Sequence, residues 1–153
     1  MVVESLHAYV ASVRADHRHQ GSLVHHVRSA LASGANSNWD QASVQQILDS
    51  LDKLHQHLEQ HFAREEEGGY LEEALVHAPR LKSQAAELMA EHPPLLTKFG
   101  ELVAAAKSGK KEQPQWPFLA SDLSKAIDEL ARHEMGENQL LQDAFAADLN
   151  LDE

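Results

Sequence analysis

The sequence predicts an all-α protein, an up-down-up-down antiparallel four-helix bundle. Three observations predict it. Apolar residues recur every three or four positions almost throughout, which is the helical period. No stretch alternates in strand fashion for long. Glycine and proline cluster at a few places only, and those places divide the chain.

The first helix is expected from about Glu4 to Ala32, with Leu6, Val10, Val13, His17, Val24, Val27 and Leu31 inward. Ser33-Gly34-Ala35-Asn36 ends it, with Gly34 as a left-handed cap. The second starts near Asp40, a good N-cap residue. Its stripe is Val44, Ile47 or Leu48, Leu51, Leu54, Leu58, His61 and Glu65. Gly68-Gly69 weakens that helix, and Leu71, Ala74 and Leu75 suggest that it resumes. Pro79 suits the first turn of the third helix. There Leu81, Ala85, Leu88, His92, Leu95, Phe99 and Leu102 form the stripe. Pro93-Pro94 interrupts it, but the apolar phase is unchanged on both sides, so a kink is expected and not a new element. Ser108 to Pro114 reads as a loop. The fourth helix runs from about Pro117 to Asp148, with Leu123, Ile127, Leu130, His133, Glu137, Leu140 or Leu141, and Ala144 inward. Four long helices with short connections favour the bundle.

The bulk numbers narrow the function. The 153 residues suit a single domain over 1–153. The formal net charge is −11, from 24 acidic and 13 basic residues. That disfavours nucleic acid and anionic membranes, which need a positive footprint. No apolar run is long enough to span a bilayer, and no secretory pattern opens the chain, so a cytoplasmic location is the default expectation. Cysteine is absent, which excludes disulfides, thiolate zinc sites and cysteine-ligated clusters. Histidine is the outlier, with 11 copies, and it is the commonest metal-ligating side chain.

His17, His61, His92 and His133 each fall in the middle of an apolar stripe. Glutamate follows two of them four residues later, as Glu65 and Glu137, and an i,i+4 pair shares one helix face. His92 and His133 lie at matching depths in neighbouring helices; the match between His17 and His61 is looser by about one turn. One histidine on an apolar stripe is usually a hydrogen-bonded core residue. Four of them in register with two glutamates call for more, because a bare carboxylate in a core costs several kcal/mol. Imidazole with carboxylate suits iron, manganese or zinc, and two glutamates from two helices can bridge a metal pair. His57, one turn before His61, and His19 remain candidates for a further ligand or a supporting donor. His19 or His26 would replace His17 if the register of the first helix differs. His7, His25, His26, His55 and His77 otherwise read as surface residues, and Glu66, Glu67, Glu72 and Glu73 as a solvated acidic face.

Asp16-His17, the run His61-Phe62-Ala63-Arg64-Glu65-Glu66, Glu91-His92, and the run His133-Glu134-Met135-Gly136-Glu137 together resemble the hemerythrin-like (HHE cation-binding) family, from about residue 5 to 145. The resemblance implies an oxygen-bridged di-iron site that binds or senses dioxygen, handles iron, or responds to nitric oxide or peroxide. It implies Glu65 and Glu137 as bridging carboxylates, the four histidines as terminal ligands, and Phe62, Leu88 and Leu130 as an apolar wall. One departure stands out. Oxygen carriers of this family have a second histidine one turn before His92, where this chain has Leu88. One iron then lacks a histidine unless His57, His19 or water replaces it. This leaves open a second reading, a metal-dependent redox or iron-repair enzyme acting on nitric oxide or peroxide. A ferritin-like oxidase would need Glu-x-x-His pairs on two helices, but only Glu4 to His7 fits. A zinc protease would need His-Glu-x-x-His, which the run at His133 misses by ending in glutamate. A third reading is a metal-free helical interaction protein with a pH-responsive histidine core.

Overall fold

A computed structural model describes residues 2–67, 75–76, 78–108 and 115–151, with side chains at 8, 10–67, 75–76, 78–108 and 115–144. Helix is the only regular structure among the described residues. The long elements are α1 (Val2–Asn36), α2 (Gln41–Glu67), α4 (His92–Ser108) and α5 (Trp116–Leu151), with the short α3 (Lys82–Ala90) after a 3-10 turn at Pro79–Leu81. α1 packs on α2, α2 on α4 and α4 on α5, and α5 closes the ring on α1; α3 covers α5 and α4 at one end.

The first connection differs from expectation at Gly34. α1 continues to Asn36, and the left-handed residues are Asn38 and Trp39, with φ of 55° and 62°. Gly34 serves another need, since a Cβ there would lie 2.6 Å from the Trp39 ring. The missing side chain lets the indole seat itself, and Trp39 then stacks on Trp116 with centroids 5.8 Å apart. Burial of that pair offsets the strain of a tryptophan in left-handed backbone. Asp40 caps α2 as expected, because its Oδ1 accepts from the Ser43 N–H at 2.8 Å.

The prolines also act differently. Pro93-Pro94 does not kink one helix; α3 ends at Ala90 and α4 starts at His92. Both prolines then sit in the first turn of α4, where a helix has no use for their absent N–H groups. The Glu91 N–H bonds back to the Leu88 carbonyl and the Glu91 carbonyl accepts from Leu95. The expected resumption of helix at Leu71 and Ala74 and the loop over 109–114 lie outside the described residues, as do the side chains of Leu6 and His7 and all of His77. Leu75 is partly buried.

The core has two apolar parts with a polar layer between them. The larger runs from Leu23 to Leu31 on α1, Val44 to Phe62 on α2, Leu95 to Ala106 on α4 and Trp116 to Leu130 on α5. The smaller holds Val13, Leu81, Ala85, Leu88, Leu140, Leu141 and Ala144. The helices pass from one to the other through buried histidine and glutamate: Val13, then His17, then Leu23; Leu88, then His92, then Leu95; Leu130, then His133 and Glu137, then Leu140. The expected stripes are otherwise buried as read, with Ile47 and Leu48 both inward; in α1 Val10 and Val24 are only partly buried and Leu23 is buried instead.

Candidate metal centre

The polar layer contains His17, His61, Glu65, His92, His133 and Glu137, each less than a tenth exposed. Their inward atoms form two groups that share both glutamates. One is His17, His61, Glu65 and Glu137; the other is His92, His133, Glu65 and Glu137; in each, the ligand atoms lie within 4.8 Å of one another. The carboxylates divide their oxygens between the groups. Glu65 sends Oε1 to His61 Nε2 at 2.5 Å and Oε2 to His92 Nε2 at 3.0 Å. Glu137 sends Oε1 to His133 Nε2 at 2.5 Å and Oε2 to His17 Nε2 at 3.4 Å. The looser depth match of His17 and His61 disappears because α1 runs on to Asn36, and the two rings meet at 5.4 Å.

Every one of the four histidines is held from behind through Nδ1. His61 pairs with Asp16 Oδ2 at 3.2 Å, His92 with Glu66 Oε1 at 3.1 Å, His133 with Glu91 Oε1 at 2.8 Å and His17 with Asn138 Oδ1 at 3.0 Å. An acceptor at Nδ1 places the proton there and leaves the Nε2 lone pair facing inward, the tautomer that a metal ligand needs. Asp16 is itself held by Arg64 at 2.9 Å. The Glu91 break gives two neighbouring residues separate tasks: His92 faces the layer while Glu91 reaches His133 on α5.

The electrostatics ask for positive charge at the Nε2 positions. Burial alone would lower the histidine pKa values, but Glu137 and Glu65 outweigh it. His17, His61 and His133 are raised, and His92 is pushed up to about 10. Burial raises the Glu137 carboxyl, yet the surrounding histidines hold it well below the usual range. Protons or metal could supply the charge, and hydrogen bonding distinguishes them. A proton-sharing network should satisfy its buried members. Here the Nε2 atoms of His17, His92 and His133, both Glu65 oxygens and Glu137 Oε1 are buried without a hydrogen-bond partner. They crowd together but are not aimed to bond one another, an arrangement that fits donors converging on cations.

The remaining expected residues fall outside this set. His57 is buried but belongs to neither group; it stacks flat on His61, with centroids 5.7 Å apart and planes 9° apart. Burial, with His61 and His19 nearby, lowers its pKa to about 4, so it is a neutral support for the His61 ring. His19 is exposed and touches only the edge of His57, at 5.1 Å. His25 and His26 are exposed, so His26 is no alternative to His17; His55 is half-buried. Phe62 stacks on His92 at 4.0 Å and meets His133 edge-on at 5.4 Å. Leu88 lines a pocket beside His133, and Leu130 sits in the larger apolar part. Glu66, expected in a solvated face, is half-exposed and still supports His92. The supporting roles of Asp16, Glu66, Glu91 and Asn138 were missed from sequence. The only available signal was that acidic residues directly adjoin His17, Glu65 and His92.

A helical bundle with a buried layer of histidines and two glutamates shared between them defines a candidate metal-binding protein. The hemerythrin HHE cation binding domain matches residues 9–145, and the chain belongs to that family. Comparison with curated proteins and with solved structures returned no match. No helix among the described residues is long and apolar enough to cross a membrane.

Proposed function

We propose that this chain is a non-haem di-iron protein that binds or senses a small oxidant such as dioxygen, nitric oxide or peroxide. The observation that carries the reading is the division of Glu65 and Glu137, each with one oxygen toward each histidine pair. A single ion would not need that division, whereas two ions side by side would. His17 and His61 would hold one metal and His92 and His133 the other, with both carboxylates shared. When bound, a pair of irons supplies one-electron redox chemistry and a place for a small ligand. The chain's part is to fix imidazole tautomers through Asp16, Glu66, Glu91 and Asn138, and to keep water out with Phe62, Leu88 and Leu130. The helix contacts favour an up-down-up-down path, with consecutive helices antiparallel.

A second reading, a redox or iron-repair enzyme, is favoured by Leu88. With leucine there, each half has four protein donors, which leaves coordination positions for a reacting molecule. Elemental analysis of protein purified without added metal tests the first claim. About two irons per chain are expected. Zinc or manganese instead would keep the site and discard the redox role, and no metal after reconstitution would sink the proposal. Stable, reversible ligand binding would favour the sensor; turnover of peroxide or nitric oxide, or transfer of iron to an acceptor, would favour the enzyme.

A further inference from the structure

The two halves of the centre adjoin two surface pockets of different chemistry. The pocket beside His133 has a volume of about 650 Å³. Its lining balances two cations, Lys98 and Arg132, against two carboxylates, Glu91 and Glu129, and Lys98 pairs with Glu129 at 3.1 Å. The pocket beside His17 lies between α1 and α5, has a volume of about 630 Å³, and carries Arg14 and Arg18 on its α1 wall. We infer that this second pocket is a binding subsite for a small inorganic anion, placed against the outer edge of His17.

The argument rests on charge and donor placement. Arg14 and Arg18 are four residues apart and therefore share a helix face. Both are exposed, and neither makes an ion pair among the described residues, unlike Arg28, Arg64, Lys98 and Lys107. Two guanidiniums side by side repel, and in a chain of net charge −11 their pairing on one wall favours an anionic occupant. Opposite them, Asn138 Oδ1 accepts from the His17 Nδ1–H, so its amide nitrogen remains to donate. Gln142, one turn further on, lines the same pocket. The one carboxylate of the wall, Glu134, accepts from Gln20 at 3.0 Å and lies 3.6 Å from His17 Nδ1, so the two guanidiniums of the wall outnumber its single carboxylate. His17 is the most exposed of the four inward histidines, at 8% against 1% for His61 and His92 and 3% for His133. The pocket therefore adjoins the layer where it is least sealed.

The inference rests on the pocket itself; only its use as an approach to the metals rests on the proposed function. The test is a sulfate titration of the full chain loaded with zinc, which is diamagnetic, followed by NMR. Sulfate is a weak metal ligand, so its binding reports the arginines. Saturable shifts are expected at the side-chain amides of Asn138 and Gln142. In the double variant R14Q/R18Q affinity should fall roughly tenfold or more, as charge-assisted hydrogen bonds are lost. Arg14→Lys with Arg18→Lys should recover part of it. Absence of saturable shifts, or equal affinity in R14Q/R18Q, would overturn the subsite. Metal content measured on the same samples separates the two claims. Sulfate binding without metal would leave the subsite standing and the di-iron reading fallen; metal without sulfate binding would do the reverse.

Discussion

The His17–His61 half and the His92–His133 half of the polar layer share both glutamates, yet they are supported differently. In the second half both imidazoles are backed by carboxylates, Glu66 and Glu91, and Phe62 lies flat against His92. In the first half His61 is bonded by the Asp16 carboxylate, whereas His17 bonds the neutral amide of Asn138, with the Glu134 carboxylate further off at 3.6 Å, and faces an open pocket. A carboxylate behind an imidazole raises its basicity and fixes its orientation. The difference teaches that a nearly symmetric set of candidate ligands can still offer one sealed half and one accessible half, through partners that lie behind the imidazoles.

The largest effect should come from erasing what the halves share. Glu65→Ala or Glu137→Ala should remove most bound metal from both, read as metal atoms per chain; two metals retained in either variant would contradict the bridging role. Next, Glu91→Gln should weaken metal at the His133 half by roughly 10–100-fold, while Asn138→Ala should cost the His17 half less. Competition with a chelator measures both, and equal losses would erase the contrast between the halves.

Stability should depend on pH differently in the loaded and the metal-free chain. In the metal-free chain the raised histidines contribute stability that is complete below their unfolded pKa of 6.5 and is lost as pH rises, through about 10 for His92. The depressed Glu137 contributes stability that is complete above its unfolded pKa of 4.5 and is lost as pH falls. Between 4.5 and 6.5 both contributions are present, while the lowered His57 costs stability as pH falls below 6.5. Metal must displace the Nε2 protons, so loading should move the optimum upward in denaturation curves taken across pH. The smallest change is local. Leu88→His would put an imidazole beside His133 and shift the near-ultraviolet bands of the iron-loaded protein; an unchanged spectrum would mean that position 88 does not reach the metals.

Much of this was legible in the sequence. Helical periodicity placed the stripes, and the i,i+4 spacing of His61–Glu65 and His133–Glu137 needs no tertiary information to put each pair on one face. Three things were not legible. The break at Glu91 follows from where two prolines fall within a helical turn, and the apolar phase was blind to it. Gly34 looked like a cap because its partner, the Trp39 ring, arrives from a turn whose geometry no local pattern encodes. The backing of the histidines depends on pairs up to 121 positions apart, such as His17 with Asn138, and exposed acidic residues carry no mark of which imidazole they will reach.

The stacked indoles at the far end of the bundle have a practical consequence. Trp39 and Trp116 are the chain's only tryptophans, and His133 lies about 26 Å further along α5 from Trp116. Intrinsic emission therefore reports the integrity of the larger apolar part, while any metal bound in the layer would report the region beyond it. The protein carries two separate gauges of its own unfolding, and any gap between them in a denaturant series would reveal a bundle that comes apart from one end.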